Sequence, residues 1–301
     1  MKIKYLCLAT VPLSLLGATS AHADESYFGY VVGADTQPKG HGEVSLAVTR
    51  RTDKDSGFYH ANDVLLDVEY GVTDRFSVGI ELEGFHLAYK DAFAKTDDTT
   101  PGVFADDVYP TQFKGSALSR IGVNAKYQFQ SPYTHNVGIT LNTDLYYRWR
   151  YGRIDGGKTR QFSLEPNLII QKNFLDDTLI TALNLKVEIE NRNFPNGDAE
   201  NELKFEPSFG VTYRVAKGLF IGGETFYRTD NLNGNFNHGS VFLGPTLHYA
   251  AKKWYVTATF QKQVTGTPTY SYNTSAFFVD RGVNLEEETR NEARVKIGFN
   301  F

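Results

Sequence analysis

The chain has 301 residues, a formal net charge of −4 and a single cysteine, Cys7, which excludes disulfides within the chain, while the mild acidity argues against nucleic acid as a partner. Aromatic residues make up 14% and glycines number 27, a composition that suits β-structure rich in turns. After the first two dozen residues no run of about 18 apolar residues occurs, so helical membrane spans are excluded; the mean hydropathy of −0.37 does not exclude a barrel, which hides its apolar residues by alternation.

The first element in chain order is an export signal. Lys2 and Lys4 form a basic region, residues 5–18 an apolar core too short for a stable span, and Ala21-His22-Ala23 a small-x-small cleavage pattern. Residues 1–23 are therefore expected to be a cleaved signal peptide. Its loss takes two lysines and Cys7, so Lys+Arg falls from 31 to 29 against 35 Asp+Glu, a net charge of −6. Residues 24–39 (DESYFGYVVGADTQPK) carry no clear pattern, and a periplasmic tail, a short extra strand and a plug in a lumen all remain open.

Residues 40–301 read as one all-β domain. Twelve segments alternate apolar and polar residues with period 2: 43–49, 62–70, 75–85, 119–129, 136–150, 160–172, 179–190, 203–215, 219–228, 241–249, 254–262 and 291–301. In the last, Ala293, Val295, Ile297, Phe299 and Phe301 share one face and Glu292, Arg294 and Lys296 the other. Its length is that of a tilted strand crossing a bilayer, about 9–11 residues. The connections alternate long or medium (51–61, 87–118, the medium 151–159, 191–202, 229–240, 264–291) and short (71–74, 130–135, 173–178, 216–218, 250–253), the asymmetry of external loops and periplasmic turns. Aromatic residues gather beside the short turns (Tyr70, Tyr127, Phe129, Tyr213, Tyr249, Trp254, Phe299, Phe301) and beside the long loops (Tyr147, Trp149, Phe162, Tyr227), as two interfacial girdles would. LEPNL, FEPSF and LGPTL repeat around Pro166, Pro207 and Pro245; a proline lacks a ladder donor, so a bulge or bend is expected at each.

A terminal strand that finishes in phenylalanine resembles the closing strand of bacterial outer-membrane β-barrels. Residues 70–82 (YGVTDRFSVGIEL) resemble a strand–turn–strand of Gram-negative barrels of the meta-pathway phenol-degradation type, and 28–40 (FGYVVGADTQPKG) are similar to an uncharacterised outer-membrane family. These likenesses imply the fold and no substrate. A soluble sandwich would bury the apolar face; a membrane barrel turns it to lipid. The loop asymmetry and the terminal Phe favour a single 12-stranded antiparallel transmembrane barrel in the outer membrane of a Gram-negative bacterium.

In such a barrel the polar face encloses the lumen. The first three strands supply Glu43, Asp63, Asp67, Glu69, Glu81 and Glu83; the fourth and fifth supply Arg120, Lys126, Arg148 and Arg150, with Asp144 as the exception. Further on come Lys186, Glu188, Glu190, Lys204, Glu206, Arg214, Glu224 and Arg228, then Arg294 and Lys296. The candidate lumen-lining, solute-binding set is Asp67, Glu69, Glu81, Glu83, Arg120, Lys126, Asp144, Arg148, Arg150, Lys186, Glu188, Glu206, Glu224 and Arg228. Two outcomes are open. The charges pair across the lumen and prop the barrel shut, or acidic and basic sectors set a transverse field across a water-filled pore.

Asp91, Asp97, Asp98, Asp106 and Asp107 lie in an expected external loop without calcium-loop spacing. His238-Gly239-Ser240 loosely resembles the His-x-Ser pair of outer-membrane phospholipase, but both residues share the lumen parity, no supporting Asn follows and Val241 replaces the family's continuation. No zinc spacing is present, and neither cofactor nor enzymatic activity is expected. The expected function is a channel or uptake pore for small solutes; the alternative is a non-transporting barrel with a surface-binding or envelope-structural role. Expected partners are outer-membrane lipid and lipopolysaccharide, the barrel-assembly machinery through the C-terminal strand, and small solutes.

Overall fold

Alternation becomes a wall when each strand pairs with its chain neighbours and the last finds the first. The computed structural model, described here for residues 27–54, 56–92, 111–152, 157–195, 197–267 and 282–301, is a closed antiparallel barrel of twelve strands. They are β1 (Gly42–Thr52), β2 (Phe58–Thr73), β3 (Phe76–Lys90), β4 (Gln112–Gln130), β5 (Gly138–Arg150), β6 (Lys158–Phe174), β7 (Leu179–Asn193), β8 (Ala199–Ala216), β9 (Leu219–Leu232), β10 (Asn235–Ala250), β11 (Trp254–Gly266) and β12 (Asn291–Asn300). β1 and β12 close the wall in continuous register from Glu43↔Asn300 to Thr52↔Asn291. The seam finishes at the terminal residue, where Gly42 and Phe301 exchange two backbone hydrogen bonds of 2.9 Å. Closure leaves no strand edge unpaired, which is the condition for β-structure in lipid.

The faces sort by parity. Leu46, Leu66, Ile80, Val123, Leu145, Leu164, Leu243 and Ile297 point outward and are exposed, Ile80 to 59%. Glu43, Ser45, Thr49 and Arg51, on the other face of β1, are buried. Apolar rows exposed over the whole circumference exceed what a dissolved monomer carries and match an acyl-chain solvent. The soluble sandwich is thereby set aside. The short-turn aromatics form one girdle, with Tyr127 against Phe129 (5.0 Å between ring centroids) and Tyr249 against Trp254 (5.6 Å). Tyr147 and Phe162 (4.9 Å) mark the other.

All twelve expected strands form, but most run further at the loop end. Residues 229–240, expected as a long loop, belong to β9 and β10 apart from a two-residue turn, Asn233-Gly234. Both turn residues have positive φ (49° and 85°), the conformation an Asn-Gly hairpin turn takes. Residues 191–202 and 51–61 are likewise mostly strand. The reason is the solvent. The apolar stripe stops where hydrocarbon stops, whereas the hydrogen-bonded ladder continues into water; at the loop end of β2, β3 and β4 the buried face is apolar, Tyr59, Ala61, Phe85, Leu87 and Tyr89 packing with Phe113. The connections 91–111 and 267–290 remain long. Asp97, Asp98, Asp106 and Asp107 and the expected signal peptide lie outside the described residues.

Each repeated proline breaks the ladder on one side only. Pro166 pairs with Thr143 of β5, but pairing to β7 skips from Leu164↔Ile189 to Asn167↔Lys186. Pro207 keeps Leu185 of β7, and pairing to β9 skips from Leu203↔Asn231 to Ser208↔Phe226. Pro245 keeps Gly223 of β9, and pairing to β11 skips from Leu243↔Lys262 to Thr246↔Thr259. In every case the missing donor faces the following strand.

Candidate functional site

The lumen has two storeys. From mid-height towards the loop end, a belt of ion pairs runs around the inner wall. Arg51 pairs with Asp63 and with Glu292 (3.3 Å). Glu292 holds Arg228 (3.2 Å), which also reaches Glu206 (3.2 Å) and Glu288 (2.7 Å). Lys186 bridges Glu206 and Glu165 (3.3 Å to the latter). Arg120 lies between Glu165 (3.9 Å) and Glu83 (3.0 Å), and Glu83 takes Arg148 as well (3.1 Å). Nearer the loops, Lys204 meets Glu188, Glu190 and Glu202 at 3.6, 3.1 and 2.8 Å, and Arg192 meets Glu190 and Glu202. Some pairs join neighbouring strands, as Arg51 with Asp63 and Glu292, Lys186 with Glu165 and Glu206, and Arg120 with Glu83. Others reach further: Arg148–Glu83 and Arg120–Glu165 each skip a strand, and Arg228–Glu292 spans from β9 to β12. Glu165 and Glu206 both precede a repeated proline and share Lys186, so the repeat delivers carboxylates to the belt.

These charges reach water although a closed wall surrounds them. The side chains of Lys186, Lys204, Arg148 and Arg120 are 28%, 18%, 17% and 16% exposed. Beside them, Tyr146 donates to Glu81 (2.8 Å) and stacks under the Arg120 guanidinium (3.9 Å), while Asn124 donates to Asp67 (3.4 Å) and to Glu81 (3.5 Å).

The turn-end storey is filled by the chain's own N-terminal segment. Residues 27–39 enter the lumen, rise to Tyr30 and descend to the turn end before β1 begins. Glu224 of β9 accepts the N–H groups of Gly29, Tyr30 and Val31 (2.8, 2.8 and 3.0 Å). Asn184 accepts from the Val32 N–H (2.7 Å) and donates to the Val32 carbonyl (2.9 Å). Gln171 accepts from the Ala34 N–H (2.8 Å), and Gln128 donates to the Ala34 carbonyl (2.9 Å). Tyr27, Phe28 and Val31 pack with Ile180, Ala182 and Phe220 in an apolar cluster inside the wall. Gly210 makes room for it, since a Cβ there would sit 2.6 Å from the Phe28 ring. Tyr30 donates to Glu292 (2.6 Å) beneath the Arg294 guanidinium (4.0 Å), which joins the two storeys. Burial, with the Glu292 charge adding to it, pushes the Tyr30 phenol above its ordinary value.

The expected lining residues therefore divide. Glu83, Arg120, Arg148, Lys186, Glu206 and Arg228 form the belt, with Glu188 above it on Lys204. Asp67, Glu81 and Asp144 sit in an amide-rich patch, Asp144 taking Asn142 (2.9 Å). Glu69 accepts from Ser77, and Lys126 is buried in the inner wall. Arg150 lies at the loop end of β5, past an irregularity at 148–150. Glu224 binds the plug rather than open lumen. The candidate set omits Arg51, Glu165, Glu202 and Glu292. Parity, carried past the last apolar residue and through the proline, marks all four. Glu288 had no such signal, because it reaches Arg228 from a connection that folds back into the mouth.

His238 and Ser240 are buried on the lumen side, and His238 contacts Asn237 (2.7 Å) and Glu288 (3.5 Å). The Ser240 hydroxyl has no hydrogen bond to His238, so the nucleophile–base contact of a hydrolase is not made. Among the described residues, no group of three His, Cys, Asp or Glu is arranged around a common metal position.

The model of a family of unknown function (DUF6662) matches residues 20–301. No curated protein matches the chain. Among solved structures it is similar to the COG4313 outer membrane channel from Pseudomonas putida F1, with a TM-score of 0.56 at 9% identity over 89% of this chain and 98% of that one. It is also similar to the β domain of the Bordetella autotransporter BrkA (TM-score 0.52, 12% identity, 87% and 99% covered) and to the NanC porin (0.50, 10%, 85% and 98%). At such identities the likeness is of fold: an outer-membrane-type barrel.

Proposed function

The chain belongs to that family of unknown function, and we propose that it is an outer-membrane channel for small polar solutes, its conduit lined by the ion-pair belt and the patch of Asp67, Glu81 and Asp144. The observation that carries this reading is the water-reachable charge inside a closed wall, with Lys186 at 28% exposure. Charged groups enclosed in a dry barrel would cost several kcal/mol each even when paired, so their pairing and partial hydration favour a wet lumen. Lipid and lipopolysaccharide would contact the outward apolar rows, and the barrel-assembly machinery would engage β12. No catalytic role is assigned to any residue. The test is conductance of the purified protein in a planar bilayer. Replacing Glu81 and Glu83 together by Ala should lower cation preference. Silence at every voltage, with the barrel intact by circular dichroism, removes the proposal.

One observation favours the alternative, a barrel that transports nothing: the plug fills the turn end while the belt neutralises the wall above it. On that reading the protein stays silent even when the plug is removed.

A further inference from the structure

We infer that residues 27–37 are a detachable stopper, seated in a preformed cleft of the inner wall that recognises extended peptide backbone with an aromatic side chain; this rests on the channel reading above. The wall grips the segment as a neighbouring strand would, but with side chains. Val32 and Ala34, two residues apart as on one edge of a strand, each have both N–H and C=O engaged, by Asn184 and by Gln171 with Gln128. Glu224 gathers the three successive N–H groups of Gly29, Tyr30 and Val31. These contacts read backbone, and the hollow over Gly210 reads the Phe28 ring.

Nothing in the grip is part of the barrel ladder. Among the described residues, the one isolated backbone bridge from the segment to a strand is Lys39↔Gly71, at its exit. Withdrawal therefore leaves the wall whole; it exchanges side-chain bonds for bonds to water and uncovers the apolar cluster of Tyr27, Phe28 and Val31, which is what holds the stopper seated. The exit is anchored: Gly40, at the junction with β1, takes φ of 79° and donates its N–H to the Gly71 carbonyl (2.9 Å), so the segment stays tethered to the wall when it leaves the cleft. Once vacated, the same amides and carboxylate face the lumen, so the class of ligand able to compete for the cleft is a short extended peptide bearing an aromatic residue.

The test uses the full barrel with residues 27–37 deleted, and a synthetic peptide of that sequence, YFGYVVGADTQ. The deletion should raise conductance several-fold over the whole protein. The peptide, added at the turn-end side, should return it to the parent level, while a scrambled peptide should not. Equal conductance of parent and deletion overturns the stopper and leaves the channel standing. A conducting deletion indifferent to the peptide overturns the cleft. A silent deletion with an intact barrel overturns the channel and the stopper with it. Detachment itself is read from Gly29→Cys with Thr259→Cys; a Cβ at 29 would lie 2.9 Å from the Thr259 Cβ, so the segment must draw back to the Cβ separation of a disulfide, about 3.5–4.5 Å, as the bond closes. Oxidation should hold this variant at its lowest conductance and reduction should restore openings. Identical traces in both states, beside a conducting deletion, would make the segment a fixed obstruction.

Discussion

The two storeys of the lumen are held together by different forces. The turn end is stopped by backbone amides gathered on neutral Asn and Gln side chains and one carboxylate, Glu224. The loop half is held by charge on charge, in a belt most of whose members serve two or three partners, as Glu292 serves Arg51, Arg228 and Tyr30. A shared network fails collectively when one member is lost, whereas a row of local hydrogen bonds fails one bond at a time. The comparison therefore predicts a hierarchy of effects and a different response to salt.

The largest effect belongs to Glu292→Ala. It leaves Arg51 and Arg228 short of a partner in the least exposed part of the belt, a change worth about 3–5 kcal/mol where a buried pair is broken. It should show as a lower urea midpoint, and an unchanged midpoint would mean that water already stands in for the carboxylate. Next comes Gly210→Val. Its side chain needs the space of the Phe28 ring, and overpacking of this kind costs about 1–3 kcal/mol. Here the loss should fall on the plug alone: protease cleavage near residue 30 should quicken while the barrel's own melting stays put. Asn184→Ala removes both bonds to Val32 and should speed exchange of that amide, with a penalty of about 1–3 kcal/mol for the groups left unpaired and less where water enters.

Salt separates the storeys further. Raising ionic strength from 0.1 M to 1 M shortens the screening length from about 10 Å to about 3 Å. The deficit of Lys186→Ala, at a side chain 28% exposed, should shrink most under that change, that of the fully buried Glu292→Ala less, and that of Asn184→Ala not at all. The smallest effect is expected at Glu200→Ala. Its contact with Arg192 is 3.7 Å at a carboxylate 31% exposed, a rim pair of the kind that contributes about 0–1 kcal/mol. A large loss there would mean that the belt extends to the rim.

The strands were legible because lipid on one side and water on the other impose a period of two, and each of the twelve shows it. Their outer ends were not. Arg51 reads as loop because the apolar partners at 44, 46 and 48 have run out, although the ladder carries on to Thr52. Glu165 shares parity with Gln161 and Ser163, but its neighbour Pro166 looks like a break when only the rung to β7 is lost. The Asn233-Gly234 turn was written in the sequence and obscured by the polar residues on either side of it.

By itself the sequence determined that the chain is a twelve-strand wall, which face meets hydrocarbon and which residues point inward, since alternation is a local property fixed residue by residue. It did not determine which charges pair with which, or that residues 27–39 turn back into the lumen. Those depend on which strands stand side by side and on which inward amides meet at one height. Only closure of the barrel brings Asn184, Gln171 and Glu224, far apart in the chain, to the same strip of backbone.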